Sequence, residues 1–267
     1  MQRSSELKNT PVVILCGGKG IMLDGTCGER TNKALINIGG LPMFWRVIQI
    51  YALHGASNFI LGVGYQSNKF GEVLEHIGAS PVDDSPSCYR VSLGQQICYI
   101  TLVSCGPNAS TASRLLACKP ALDAIVDYEH FAVAYSDTLS DVDLGSEMQF
   151  HKKSGLICTL VAAKMPVRFR VLGIRPGEVL VRGFAARPVI EAGTINGGYY
   201  LFSRDFWNIA QLLTPSIALE NEPLEYLAAS GQLVAYEHRG AWQTCDAERD
   251  LPELDRIARQ ISDSGLQ

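Results

Sequence analysis

Residues 11–20 read Pro11-Val12-Val13-Ile14-Leu15-Cys16-Gly17-Gly18-Lys19-Gly20. Val12 to Leu15 is a short run of β-branched and aliphatic residues, which suits a strand buried on both faces of a parallel sheet. Three glycines in the next four positions let the backbone turn sharply and come close to a ligand, because no Cβ stands in the way. Successive N–H groups in such a turn form a concavity that suits phosphate oxygens. A tight strand-to-helix turn with no ligand explains the glycines equally well. No third glycine follows at the spacing of the G-x-G-x-x-G dinucleotide fingerprint, so a nicotinamide or flavin enzyme is disfavoured.

Working outward, Asp24 to Asn37 is polar and too irregular for a helix, and Pro42 is placed to open one over Met43–His54. Strands are expected at 58–64, 97–103, 131–135 and 156–163, alternating with helices at 69–77, 111–128 (interrupted by Pro120) and 144–153. That rhythm predicts an α/β fold with a doubly wound, mostly parallel sheet. The second half is richer in strands: a hairpin over 170–184, strands at 194–202 and 233–238, helices at 204–213 and 223–229, and a closing helix over 247–262. Residues 78–96 read as a mobile loop or short irregular hairpin, and 1–10 as a loose polar leader. Nothing repeats and no linker breaks the apolar pattern, so 1–267 is expected to be a single domain.

Composition narrows the partners. Of 267 residues, 47% are hydrophobic and 19% charged, which fits a well-packed soluble protein. No apolar run approaches the roughly 18–20 residues of a membrane span, and the N-terminus lacks the apolar core of a secretory signal. A net charge of −4 with no Lys/Arg stripe argues against nucleic acid, whose binding rests on neutralising phosphates. The eight cysteines form no C-x-x-C pair, and several sit in apolar runs, so a reduced, cytoplasmic protein is expected.

Open parallel sheets bind ligands at the carboxyl ends of their strands. Four features fall there: Gly17 to Gly20, Asp137, Asn196 to Gly198, and Asp246. Two carboxylates beside a phosphate-cradling loop suit Mg²⁺, which takes oxygen ligands and shares one or two carboxylates with substrate phosphates. Either aspartate alone is ordinarily a helix cap or a solvated loop residue. Lys33 and Arg187 supply candidate positive charge, although a single cation is by default a surface side chain. Trp242 is either a stacking platform for a sugar or base or part of the core.

Longer motifs add a resemblance. Gly17-Gly18-Lys19-Gly20, Lys33, and Ile38-Gly39-Gly40-Leu41-Pro42-Met43-Phe44-Trp45 resemble the start of a sugar-phosphate nucleotidyltransferase. Thr111-Ala112-Ser113-Arg114, Asp137 with Asp141 and Asp143, Ile195-Asn196-Gly197-Gly198-Tyr199-Tyr200, Glu222-Pro223-Leu224, and Glu237-His238-Arg239-Gly240-Ala241-Trp242-Gln243 followed by Asp246 are similar to the glucose-1-phosphate cytidylyltransferase branch. The match runs in order over nearly the whole chain. It implies a Rossmann-like α/β domain that joins CMP from CTP to a sugar 1-phosphate. By that resemblance Gly17, Gly18, Lys19, Gly20, Thr111 and Arg114 hold the nucleotide. Lys33 and Arg187 contact phosphates, Asp137 and Asp246 hold Mg²⁺, and Asn196, Gly197, Glu222 and Trp242 line the sugar site. Relatives of this kind commonly assemble, so the resemblance also implies a homo-oligomer.

The chain departs from the family pattern at named positions. Where the family reads Gly-Thr-Arg, this sequence has Gly20-Ile21-Met22, without the arginine expected to hold the triphosphate. Pro-Lys-Pro has become Asn32-Lys33-Ala34, Glu-Lys-Pro has become Ala186-Arg187-Pro188, and Thr-Gly-Gly-Arg has become Thr111-Ala112-Ser113-Arg114. An arginine in phosphoryl transfer is worth on the order of 10³-fold in rate. Two expectations follow: an active transferase in which Lys19 or Arg30 replaces the missing charge, or a catalytically impaired ligand-binding or regulatory subunit. The retained pair Asp137 and Asp246, with Lys33, favours the first.

Overall fold

Every residue of strand β1 (Val12–Cys16) is buried, and alternate side chains enter different cores. Val12, Ile14 and Cys16 pack into one, Val13 and Leu15 into the other. The computed structural model describes residues 4–18, 20–22, 30–82, 85–125, 128–164, 171–172, 184–185, 193–214 and 216–263. In chain order its main elements are α1 (Met43–Leu53), β2 (Asn58–Val63), α2 (Lys69–His76), β3 (Ser80–Val82), β4 (Ser85–Leu93), β5 (Gln96–Ser104) and α3 (Thr111–Asp123). There follow β6 (His130–Tyr135), β7 (Thr138–Ser140), α4 (Leu144–Ser154), β8 (Cys158–Lys164), β9 (Thr194–Ser203), α5 (Glu222–Ala229), β10 (Leu233–His238), β11 (Trp242–Thr244) and α6 (Leu251–Asp263).

The main sheet has nine strands in the order β10-β8-β9-β6-β1-β2-β5-β4-β3. All but β4 and β9 run in one direction. Helices α1, α2, α4 and α6 contribute to the core on one face, and α3 and α5 to the core on the other. This is the doubly wound, mostly parallel α/β arrangement expected from the sequence. The strand-rich second half does not stand apart, because β8, β9 and β10 extend the same sheet. In the region of the hairpin expected over 170–184, Val171–Leu172 pairs antiparallel with Phe184–Ala185, and residues 173–183 lie outside the described residues. Pro120 lies inside α3, which runs on to Asp123. Among the described residues no helix is long and apolar enough to cross a membrane.

One expectation needs correcting and another is narrowed. The leader is not loose over residues 4–10: Leu7 is fully buried, Ser4 N–H donates to the Leu53 carbonyl at 3.1 Å, and Leu7 N–H donates to the His54 carbonyl at 3.0 Å. One apolar side chain and the open carbonyls at the end of α1 are enough to dock it. Of the two alternatives for residues 78–96, the irregular hairpin is the one present and the loop is not: β3 and β4 pair antiparallel with a register shift, and β4 also pairs with β5. Tyr89, Val91 and Leu93 are buried while Arg90 and Ser92 are exposed, the period-2 pattern of a half-buried strand. The prolines and serines at its start conceal that pattern in the sequence.

Candidate active site

β1 ends at the glycine turn, directly beside the end of β6, where Leu15 pairs with Tyr135. The turn is braced from below. Arg114, near the start of α3, is only 4% exposed, and its Nη2 donates to the Gly17 carbonyl at 2.9 Å and the Ala109 carbonyl at 2.8 Å. A Cβ at Gly17 would lie 1.4 Å from Arg114 Nη1, so this position admits only glycine while the guanidinium stays. Arg114 is therefore a support for the loop rather than an exposed arm. Ser136 adds a second tie, donating from Oγ to the Leu15 carbonyl at 2.9 Å.

Lys33 stands at the centre of the charged groups. Its Nζ donates to Asp137 Oδ2 at 3.0 Å and to Asp246 Oδ1 at 2.9 Å. Burial works to lower the Lys33 ammonium, but the two carboxylates outweigh it and raise it above its ordinary value. It stays charged at neutral pH. Asn32 fixes where Lys33 begins. The Asn32 side chain is buried, donates from Nδ2 to the carbonyls of Cys16 (2.9 Å) and Tyr65 (2.7 Å), and accepts from Ala34 N–H at 3.0 Å. One side chain thus joins the end of β1, the segment after β2 and the turn that carries Lys33.

A short antiparallel ladder brings the two aspartates together. β7 pairs with β11 in the register Thr138 to Thr244, and Cys245 N–H donates to the Asp137 carbonyl at 2.8 Å. The turn between β10 and β11 is clamped by His238, whose Nε2 lies 3.1 Å from Asp141 Oδ1 and 3.0 Å from Ser140 Oγ. Burial pushes the Asp141 carboxyl up, but His238 and nearby backbone N–H groups hold it below the ordinary carboxylate range. Asp250 finishes the arrangement by accepting from the N–H groups of Asp246 and Ala247 at 3.0 and 2.9 Å.

A cavity of about 450 Å³ runs from Gly17 and Gly18 past Lys33 and Asp137 to Thr111 and Glu220, within the range of small-molecule sites. Thr111 Oγ1 donates to Glu220 at 3.2 Å, and Tyr135 donates to the other Glu220 oxygen. Tyr200 then donates to Tyr135 at 3.3 Å, and Asn196 to Tyr200 at 2.5 Å. Trp242 Nε1 donates to the Gly197 carbonyl at 2.8 Å, so these two sugar-site candidates are neighbours. Asn196, Gly197 and Trp242 lie beyond the lining of this cavity, and Glu222, at the exposed start of α5, does not line it either; Glu220 does. Lys19 and Arg187 lie outside the described residues. A larger concavity, about 690 Å³, sits near His130, His151 and Gln232 at the other ends of the strands and contains none of these groups.

No family model matches the chain. A glucose-1-phosphate cytidylyltransferase of Salmonella typhimurium is 32% identical over 253 residues, covering 92% of this chain and 94% of its own. The chain belongs to the sugar-phosphate nucleotidyltransferase family. A probable glucose-1-phosphate cytidylyltransferase of Bacillus subtilis is likewise 32% identical, over 93% of this chain and 96% of its own. The solved inositol-1-phosphate CTP transferase from T. maritima shares the fold at a TM-score of 0.62 and 15% identity, covering 96% and 97% of the two chains.

Within this nucleotidyltransferase, the two departures nearest the glycine turn have a visible structural setting. Met22 stands where the family has arginine, and Met22 pairs across a two-residue ladder with Arg30. Arg30 donates to the Gly20 carbonyl at 3.3 Å. A guanidinium therefore lies at the turn although the sequence position differs. Asn32 stands where the family has proline and keeps a proline-like backbone, with φ −57° and ψ 125°. Sequence reasoning missed Asn32, Tyr135 and Glu220. For Asn32 the substitution of proline beside Lys33 was a usable signal; for the other two no local pattern marks them.

Proposed function

We propose that this nucleotidyltransferase joins CMP from CTP to glucose 1-phosphate or a closely related phosphorylated acceptor, releasing pyrophosphate. The observation that carries the reading is the meeting of Asp137 and Asp246, distant in sequence, on one ammonium beside the glycine turn. A phosphate oxygen of the acceptor attacks the α-phosphorus in line, a new P–O bond forms, and the bond to the β-phosphate breaks with its electron pair leaving on pyrophosphate. The acceptor is already anionic, so no strong general base is required, and catalysis consists of alignment and charge neutralisation. Gly17, Gly18, Lys19 and Gly20 cradle the phosphates, braced by Arg114. Thr111 closes the nucleotide end of the cavity. Lys33, Arg30 and Arg187 supply positive charge, while Asn196, Gly197 and Trp242 form the acceptor side.

The donor set fits a hard divalent cation: two carboxylates from separate segments converge on a point already occupied by a positive charge. Two protein ligands with the remaining positions left to phosphate and water is the habit of Mg²⁺. Asp137 and Asp246 would hold it, and when bound it would neutralise charge building on the leaving pyrophosphate. The seven described cysteines are all unpaired, which supports a cytoplasmic setting.

The test is pyrophosphate release with Mg²⁺, each NTP and a panel of sugar 1-phosphates. Release with CTP and glucose 1-phosphate is expected, and Asp246→Asn is expected to lower turnover by about 100-fold or more with the fold intact. Near-normal turnover in that variant refutes the metal assignment. Silence across the whole panel, with nucleotide still bound, favours a non-catalytic nucleotide-binding subunit, the outcome that the loss of arginine at Met22 makes worth measuring.

A further inference from the structure

We infer that Lys33 is an internal counter-ion that a divalent metal must displace, so that metal and nucleotide enter the site as a pair. The inference rests on the proposed metal role of Asp137 and Asp246. Lys33 Nζ lies 3.0 Å from one carboxylate and 2.9 Å from the other, and both bonds are of hydrogen-bond length. Those carboxylates are the groups that would hold the metal. Two carboxylates balance one divalent ion, whereas an ammonium left in place beside it brings strong like-charge repulsion at short range. The two cations therefore exclude each other.

The displaced ammonium needs a new partner. Lys33 lines the same cavity as Gly17 and Gly18, and a lysine carries its charge on a flexible four-carbon stem. Asn32 holds the backbone of the turn, so only the stem has to move. Without nucleotide the cavity offers no phosphate to receive the charge, and metal binding is opposed. With a triphosphate in the glycine turn, the same movement exchanges a carboxylate partner for a phosphate one. Lys33 thereby disfavours idle metal binding and couples the ion to its substrate, a coupling that acts equally in both directions.

The experiment measures Mn²⁺ binding to nucleotide-free protein by calorimetry and by the loss of the free-ion EPR signal, with no turnover involved. Lys33→Met is expected to bind Mn²⁺ about tenfold or more tightly than wild type, a modest figure because the lysine is partly solvated. Lys33→Arg keeps the charge and is expected to remain as weak as wild type. Lys33→Gln, neutral yet still able to donate to the carboxylates, gives the same reading should Lys33→Met fail to fold. Equal or weaker binding by the neutral variants overturns the exchange while leaving the transferase reading intact. Tight binding that survives Asp137→Asn in the Lys33→Met background places the ion elsewhere and overturns the metal pair as well.

Discussion

Asn32 illustrates how a single residue can replace a family feature by different means. A proline would fix φ near −65° and offer no N–H. Asn32 takes φ −57° but uses its N–H, which donates to Gln66 Oε1 at 3.0 Å, and adds three side-chain hydrogen bonds. Rigidity beside Lys33 is thus supplied by hydrogen bonds instead of a ring. Asn32→Ala removes a partner from one buried carbonyl, one part-buried carbonyl and one N–H and should cost about 2–4 kcal/mol, read as a lower urea midpoint at unchanged slope, together with reduced turnover. An unchanged midpoint would mean water satisfies those groups and Lys33 is positioned some other way. At this scale the sequence marked residues that stand at strand ends, which is why Gly17, Asp137 and Asp246 were legible. Asn32 and Glu220 act through partners distant in the chain, Cys16 and Tyr65 for one and Thr111 and Tyr135 for the other, and no local spacing records such a meeting.

At the scale of elements, the site depends on a short ladder that lies outside the main sheet. β7 and β11 have three residues each, too few to give a readable alternation, yet their register sets Asp137 against Cys245 and Asp246. The long elements, β1, α1, β2 and β6, announced themselves through periodicity. The Asp141–His238 clamp shapes the approach to β11, and Gly240 is its tight point: a Cβ there would meet Asp141 Oδ1 at 2.2 Å and His238 Cε1 at 2.7 Å. Gly240→Ala should force the clamp open, displace Trp242 and Asp246 together, and lower kcat/KM by about tenfold or more, since sub-ångström misplacement is costly in alignment-driven catalysis. Far-UV circular dichroism should remain native, because the nine-stranded sheet does not include this ladder. Full activity in Gly240→Ala would separate the clamp from the site.

At the scale of the whole molecule, the face of the sheet that carries α1 and α4 holds an ionisable group in its core. Glu147 on α4 is 1% exposed, and burial raises its carboxyl to about 8. It lies near Tyr51 and Tyr199, which stack with ring centroids 6.1 Å apart, and Tyr199 donates to the Thr138 carbonyl at 2.9 Å, at the start of β7. Charging this carboxylate therefore loads the packing beneath the site. In the unfolded chain the group titrates near 4.3. Below that value both states hold the proton and the group sets no pH slope. Between about 4.5 and 8 the folded state keeps a proton that the unfolded state has released, so stability falls as pH rises. Above about 8 both states are ionised and the slope vanishes. Glu147→Gln removes this proton while keeping the shape. Between pH 5.5 and 7.5 wild type should lose about 2–3 kcal/mol of unfolding free energy relative to the variant. Other titrating groups are common to both proteins and cancel in the comparison. Parallel stability curves over that window would mean that Glu147 is solvated or paired in solution, and that the core under β7 does not carry a buried acid.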